Sequence, residues 1–531
     1  MSRSIMIVAL SGPVGSGKTT LAEGLGRLGF EILKTREILV KKTDSVVRKS
    51  LQRAGDDLDK ETNGQWVLDE LSKIIRSENE KKMFLVDSVR IKEQVDFVRE
   101  AYGNVIHVHL TAPVGTLSER YAKRTNGKSK NESYSKVRKN KTEANIDALI
   151  DTADVVINTA RCTAADVLSR VVGHLWLRMG GSGSYVDVVV GGQYGSEGKG
   201  QVVAYLAPEY DLLVRVGGPN AGHKVFEAPE PYTHHQLPSG TRRCNAKLLL
   251  TPGMNLNVEK LLEEIAECEV DASRLSIDPQ AMIITPEDIN NEAELKRRIG
   301  STAQGVGMAT ARRITHRFPK AVKLAKDIKE LHPFIKPAID VLFETFSTGG
   351  KVLVEGTQGF GLSLYHGYYP HVTSRDTSVA GCLSESGIPI TRVRRVVMVC
   401  RTYPIRVQNG PRGSSGPMSQ ELTIEEISKR SGVPSKELRR IERTSTTNRK
   451  RRIAEFDWSL LRKATAVNGP TDIALSFADY IDIRNRKAKR MEQLTTPTID
   501  FIEEVERVSG ARVSLISTGF NSRPIIDRRQ W

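Results

Sequence analysis

Cysteine is scarce in this chain. The 531 residues hold five, Cys162, Cys244, Cys268, Cys382 and Cys400, far apart and never in a CxxC spacing, which disfavours both a disulfide framework and a zinc site and fits a reducing, cytoplasmic setting. Long apolar runs are missing as well: no window reaches about 18 residues, so no bilayer-spanning helix is expected. The apolar run 5–10 flows directly into GPVGSGKTT without a small-residue cleavage pattern, so it reads as a buried strand and not as a signal peptide. No repeat recurs at a period of about 20–50 residues. Acidic residues are outnumbered, 63 against 79 Lys and Arg, leaving a surplus of +16. That surplus points to anionic partners without distinguishing nucleic acids, lipids and small phosphates.

What is present is ordinary globular composition, 39% hydrophobic and 27% charged, in a chain long enough for roughly three or four domains of typical size. The stretch GGSGS at 180–184 reads as a flexible linker between domain 1–179 and domain 185–531. Each segment opens with an apolar β-branched run, a glycine-rich loop carrying a lysine, and a helical pattern. Both alternate β-rich runs (83–86, 105–110, 351–354, 396–399) with amphipathic stretches such as 258–267. Alternation of this kind predicts an α/β fold with mainly parallel sheets and helices on their faces.

Residues 12–19 read GPVGSGKT, the Walker A spacing, with a strand expected before it and a helix after. Gly12, Gly15 and Gly17 let backbone N–H groups turn toward phosphate oxygens, Lys18 reaches the terminal phosphates, and the Thr19 hydroxyl suits Mg²⁺. A glycine-rich turn that binds nothing is the bland alternative. FLVDSVR places Asp87 and Arg90 at the end of a second strand, where ligands of open α/β sheets bind. Arg120, Lys123 and Arg124 recur at helical spacing, either as a solvated face or as a phosphate-clamping lid. Together these features resemble the P-loop kinases of small metabolites, in particular the nucleoside monophosphate and dephospho-coenzyme A kinases, over roughly the first 175 residues, and ADVVIN (153–158) matches a late strand of that group. The resemblance implies phosphoryl transfer from ATP; the segment around Thr35 and Arg36 names no acceptor.

The second half opens on VDVVVGGQYGSEGKG (186–200), neither a Walker A loop nor a dinucleotide fingerprint. By spacing alone it places a phosphate on a helix N-terminus. GGPNAGHK (217–224), LPSG (237–240), GSTAQGVG (300–307), VEGTQGFGLSLYHGYYPHVTS (354–374), STTNRKRR (445–452) and LISTG (515–519) follow in order. This series resembles the adenylosuccinate synthetase family across 185–531. The resemblance implies a homodimeric ligase that uses Mg²⁺ and a nucleoside triphosphate to phosphorylate the 6-oxygen of a purine monophosphate, which the amine of L-aspartate then displaces.

By the same resemblance, His223 is the catalytic histidine and the Gly222 carbonyl a magnesium ligand. Gly195, Glu197, Gly198, Lys199 and Gly200 surround the donor phosphates, while Asn220, Thr302, Gln358 and Thr373 hold the purine nucleotide, Gln358 at the reacting end. The family's arginine donated across the dimer interface aligns with His316, with Arg317 beside it. RKRR alone reads as a nucleic-acid or nuclear-localisation patch; inside this motif Thr446, Thr447, Arg449 and Arg451 match the loop that closes on the aspartate carboxylates, which suit guanidinium forks. Asp479, Ser517 and Gly519 match the donor-base segment.

Two departures bear on substrate. The family loop reads GDEGKG, where this chain has GSEGKG, so Ser196 stands in for a carboxylate that serves as base and metal ligand. A hydroxyl makes room for a 2-amino group, favouring dGMP or GMP, and the phage-type branch that makes 2-aminoadenylosuccinate also looks like GSEGKG. The alternatives are IMP with another proton acceptor, and a nucleotide-sensing or nucleic-acid-binding protein without catalysis. The donor segment reads LSFAD, with Phe477 where the family has a lysine; Phe477 stacks but donates no hydrogen bond. GTP is therefore open to replacement by ATP or dATP. The expected partners are these small anions, with nucleic acid and membrane disfavoured.

Overall fold

Runs of β-branched residues buried on both faces form parallel strands, and both halves of the chain obey this. In a computed structural model the described residues are 5–77, 83–124, 134–138, 141–179, 185–226, 230–443, 450–519 and 525–529. The chain divides into two compact units, Met1–Ser182 with Phe346–Gly349, and Gly183–Thr345 with Gly350–Trp531. Among the described residues no helix is long and apolar enough to cross a membrane.

The N-terminal unit holds β1 (Met6–Ser11), β2 (Glu31–Lys34), β3 (Met83–Asp87), β4 (Val105–Thr111) and β5 (Val155–Asn158), ordered β2-β3-β1-β4-β5 and all parallel. Its interior is built from Ile7, Ala9, Leu33, Phe84, Val86 and Val105, closed by Trp66, Val67 and Leu71 of a covering helix. The order reverses direction at β1, which opens a crevice at the carboxyl edge where β1 runs into loop 12–17 and helix α1 (Lys18–Arg27).

The C-terminal unit is organised on a nine-stranded sheet: β6 (Val186–Gly191), β7 (Leu212–Arg215), β8 (Lys247–Leu250), β9 (Leu275–Ile277), β10 (Val352–Glu355), β11 (Val393–Arg401), β12 (Asp472–Ser476), β13 (Arg512–Ile516) and β14 (Ile526–Asp527). The order is β9-β8-β7-β10-β6-β11-β12-β13-β14. All pairs are parallel except the last, an antiparallel edge. Helix α2 (Lys199–Leu206) follows β6, and α3 (Val258–Glu267) is capped by the Asn257 side chain, which accepts from the Lys260 N–H. Val189, Leu213, Leu353 and Val397 of the central strands pack with Val202, Leu206, Leu261 and Ile265 of these helices in one core. The apolar strands end on polar residues at one edge: Arg215 on β7, Glu355 on β10, Arg401 on β11 and Ser476 on β12. Arg215 and Glu355 are register partners, as are Arg401 and Ser476. A small antiparallel sheet of Ile405–Val407, Arg451–Ala454 and Glu421–Leu422 stands after that edge, with Arg451 opposite Val407.

Candidate active sites

In the N-terminal unit Gly12, Gly15 and Gly17 adopt φ of 137°, 88° and 100°, and Gly17 caps α1 so that the helix's unpaired N–H groups open toward the loop. Lys18 Nζ donates to the carbonyls of Gly12 (2.5 Å) and Pro13 (3.1 Å). A cavity of about 890 Å³ lies against this loop; Gly15, Gly17, Lys18 and Thr19 line it together with Arg36, Ser88, Arg90 and Arg120. Arg120 forks onto Thr159, reaching its hydroxyl at 2.8 Å and its carbonyl at 2.9 Å, and extends to the Gly15 carbonyl at 3.4 Å. Asp87 ends β3 at the same edge, but the cavity is lined by its neighbours Ser88 and Arg90. Arg124 ends the helix that carries Arg120; its side chain and the stretch 125–133 lie outside the described residues.

The loop after β6 is built differently. Gly195 and Gly198 take φ of 102° and 91°, and Gly198 caps α2. The side chain of Glu197 turns inward: Oε1 accepts from the N–H of Gln193 (3.0 Å) and Gly195 (2.8 Å), and Oε2 pairs with Lys199 Nζ at 2.6 Å, both side chains 1% exposed. A Cβ at Gly359 would stand 2.3 Å from Glu197 Oε1, and one at Gly200 would stand 2.9 Å from His223 Cβ, so close approach requires glycine at both.

Beside this loop lies a cavity of about 190 Å³. It gathers Gly195, Ser196, Asn220, Gly222, His223, Thr302, Gln358, Thr373 and Arg451 from five separate motifs. His223 is buried and its Nδ1–H donates to Glu355 Oε1. Glu355 also accepts from the Ser239 hydroxyl and from the Ser239 N–H (2.7 Å), and it pairs with Arg215 at 2.8 Å. His223 Nε2 has no partner among the described residues. Burial, reinforced by Arg215, pushes the imidazole down to about 4. Burial pushes the Glu355 carboxyl up, but Arg215 and His223 outweigh it and hold the group well below the usual range. Gln358, at φ 59°, donates through its side-chain amide to Asn220 Oδ1 at 2.9 Å, and its Oε1 accepts from the Thr357 hydroxyl at 2.7 Å.

Glu355, Arg215 and Ser239 were not singled out in the sequence, although all three fall inside or beside the quoted motifs. The signal available was a charged residue closing an apolar strand, as in LLVR and VLVE, at the edge where α/β sites form.

Arg451 pairs with Glu442 at 3.5 Å, and Glu442 also receives Arg401 (2.7 Å) and the Tyr480 hydroxyl (2.7 Å). Thr446, Thr447 and Arg449 lie outside the described residues. Arg317 is exposed and does not line this cavity. Asp479, Ser517 and Gly519 come together at the ends of β12 and β13: the Ala478 N–H donates to the Ser517 carbonyl at 3.1 Å, and a Cβ on Gly519 would lie 3.6 Å from Asp479 Oδ2.

The architecture matches known proteins in two parts. The adenylosuccinate synthetase family profile matches residues 188–328 and 318–486, and an AAA-domain profile matches residues 8–154. The adenylosuccinate synthetase of Pyrococcus sp. (strain ST700) is 38% identical over 351 residues, covering 64% of this chain and 98% of the relative. Among solved structures, the succinoaminodeoxyadenylate synthetase of cyanophage S-2L, bound to dGMP and dATP as an energy donor, is 27% identical with a TM-score of 0.54, covering 66% of this chain and 97% of that one. The fully ligated adenylosuccinate synthetase of Plasmodium falciparum shares the fold at 20% identity and the same TM-score, covering 65% of this chain and 100% of that one. With the family profile spanning more than half its length, the chain belongs to the adenylosuccinate synthetase family and carries a P-loop kinase-like domain in front of it.

Proposed function

We propose that the C-terminal unit joins L-aspartate to carbon 6 of a 6-oxopurine nucleotide, with dGMP or GMP as its preferred acceptor, and that the N-terminal unit is a nucleotide kinase acting on a purine monophosphate in the cytoplasm. One observation carries the acceptor reading: among the described residues the cavity lining contains Lys296, His223, His371, Arg406 and Arg451 but no carboxylate, and Ser196 stands where the family has aspartate. A hydroxyl there accepts a hydrogen bond from a 2-amino group and leaves space for it. The cyanophage relative that binds dGMP supports the same reading.

The chemistry follows from the residues. The purine 6-oxygen attacks the γ-phosphorus of the donor as ring nitrogen 1 gives its proton to water, the bond to the nucleoside diphosphate breaks, and the oxygen becomes part of a phosphate leaving group. The aspartate amine then attacks carbon 6, inorganic phosphate departs, and the nitrogen releases a proton to water. Glu355 fixes the His223 ring through Nδ1, which aims Nε2 at the cavity. Burial holds the imidazole neutral at pH 7; bringing nucleotide phosphates alongside raises its proton affinity, so that Nε2–H forms where negative charge grows on the 6-oxygen. Arg451, on the cavity wall, suits a dicarboxylate or a phosphate.

Among the described residues no three His, Cys, Asp or Glu side chains cluster to hold a metal. The hard oxygens of Gly222 and Ser196 at one site, and of Thr19 at the other, nonetheless suit Mg²⁺, which binds largely through substrate phosphates and water and neutralises charge during transfer. The ligase is further proposed to act as a homodimer, with exposed Arg317 facing the second copy; sedimentation checks this.

Incubating the chain with Mg²⁺, aspartate, ATP or GTP and an equimolar mixture of IMP, GMP and dGMP, read by mass spectrometry, tests the proposal. Succinylated guanine nucleotides are expected in excess. Product from IMP alone overturns the acceptor assignment, and no succinylated product overturns the ligase. For the kinase, the His223→Ala chain with ATP and purine monophosphates should still yield diphosphates; none formed removes that assignment.

A further inference from the structure

Gln358 and Asn220 stand together on the wall of the ligase cavity, and a side-chain amide there presents either N–H groups or an oxygen. A chain of hydrogen bonds that begins away from the cavity decides which. Arg375 is buried; its Nε donates to Glu385 Oε1 at 2.5 Å and its Nη1 to the Thr357 hydroxyl at 2.9 Å. A guanidinium only donates, so the hydroxyl accepts in that bond and its own proton goes elsewhere. The acceptor it meets is Gln358 Oε1, at 2.7 Å. A Cβ on Gly217 would collide with the same hydroxyl, so loop 217–220 closes over it, and the Gly217 N–H donates to Glu385 Oε2 at 3.0 Å. With Oε1 committed to Thr357, Gln358 turns Nε2 toward Asn220, whose Oδ1 accepts at 2.9 Å. That leaves the second N–H of Gln358 Nε2 and both N–H groups of Asn220 Nδ2 without a partner among the described residues. The main chain is pinned as well: Gln358 lies in the left-handed region at φ 59°, and a Cβ on Gly191 would stand 2.6 Å from its carbonyl oxygen.

We propose that Arg375 is a positioning residue that acts through Thr357 to fix the polarity of the acceptor site, so that Gln358 and Asn220 offer it N–H groups and no oxygen. The proposal rests on the ligase reading above and deepens it by naming what makes the site reject a 6-aminopurine nucleotide. Turning both amides over would set Gln358 Nε2 against the Thr357 hydroxyl and strand the hydroxyl proton, buried and without an acceptor, so the observed order is the one in which every group of the chain is paired. The atoms that a 6-oxopurine monophosphate brings to such a wall, its 6-oxygen and its phosphate oxygens, are acceptors. A 6-amino group is a donor and meets N–H with N–H, which is how a built hydrogen-bonding site excludes a ligand of nearly the same shape. The same N–H groups favour the 6-oxygen more as negative charge grows on it. Arg375 touches no substrate in this account; it sets the direction in which the chain runs.

The test titrates the full chain calorimetrically with dGMP and with the deoxynucleoside monophosphate of 2,6-diaminopurine, which keeps the 2-amino group and exchanges the 6-oxygen for an amine. The N-terminal unit is the same in every chain compared, so a site whose affinity changes between chains is the C-terminal one. There the parent should bind dGMP at least tenfold more tightly than the diamino nucleotide. Thr357→Val, which removes the hydroxyl at nearly constant volume, should cut that preference at least fivefold, and Arg375→Met combined with Glu385→Gln, which leaves no buried charge unpaired, should cut it comparably. Thr357→Ser should retain it. A loosened fold would weaken both nucleotides alike and leave the ratio unchanged. Equal affinities in the parent, a Val or Met–Gln variant that keeps the preference, or a Ser variant that loses it overturns the positioning role. Aspartate-dependent product formation is followed on the same chains: absence of product refutes the ligase reading, while the binding ratio still decides the polarity of the site.

Discussion

The two glycine-rich loops of this molecule solve one problem with opposite uses of lysine. In both, a left-handed glycine caps a helix whose first residue is lysine, Gly17 before Lys18 and Gly198 before Lys199. Lys18 is half-buried and lines the large N-terminal cavity, its ammonium hooked onto two loop carbonyls. Lys199 is sealed inside by Glu197, which also ties down two N–H groups of its own loop. Lys18 stands on a cavity wall, whereas Lys199 is paired away inside its own loop, and the group proposed for catalysis in the second unit, His223, lies on a different strand. A lysine in a phosphate loop is thus not by itself a phosphate ligand; its burial and its partner decide.

This contrast can be broken by mutation. The largest effect is expected from His223→Ala, which should lower aspartate ligation by about 10²–10⁴-fold and leave nucleotide phosphorylation by the N-terminal unit unchanged. Lys18→Ala should do the reverse, lowering kinase turnover by about 10²–10³-fold with little change in unfolding midpoint. Lys199→Ala should act on folding first, destabilising the C-terminal unit by about 3–5 kcal/mol because Glu197 is left buried and unpaired. The Glu197→Gln, Lys199→Met pair should recover most of that loss in denaturant melts. Equal effects of Lys18→Ala and Lys199→Ala on stability would erase the distinction.

Smaller effects sharpen it. Ser196→Asp should move the acceptor ratio toward IMP by about tenfold or more, measured by competition between dGMP and IMP. Both units also contain imidazoles that burial pushes down to about 4, His107 in the first and His223 in the second. Below the ordinary histidine value of about 6.5 the unfolded chain takes up protons that these folded sites refuse. Stability should therefore be intact above that value and fall as pH drops from about 6.5 toward 4, and His107→Gln should flatten only the N-terminal part of the decline.

Much of the fold was legible in the sequence. The amphipathic stretch 258–267 became α3 with the same limits, because Asn257 supplies a side-chain cap and Leu261 and Ile265 face the core. The apolar runs became strands with ends displaced by one to three residues, as where 396–399 lengthened to Val393–Arg401. Strand order was not legible, since it depends on pairings such as Glu355 with Arg215 that are distant in the chain. Where a motif carried the residue type, as with His223, Asn220 and Gln358, the residues lie on the wall of one cavity. The support for His223 was not legible, because Glu355 and Arg215 look like strand ends until the parallel register sets them side by side. The inward turn of Glu197 and Lys199 was hidden for a similar reason: burial is a property of the assembled loop and not of its spacing.

The proposed ligase activates a guanine nucleotide by phosphorylating its 6-oxygen. Supplying dGMP labelled with ¹⁸O at position 6, together with aspartate, ATP and Mg²⁺, and analysing the inorganic phosphate by mass spectrometry, follows that oxygen directly. One ¹⁸O should appear in phosphate for every succinylated product formed. Succinylated product accompanied by unlabelled phosphate, or no succinylated product from dGMP, would contradict the account.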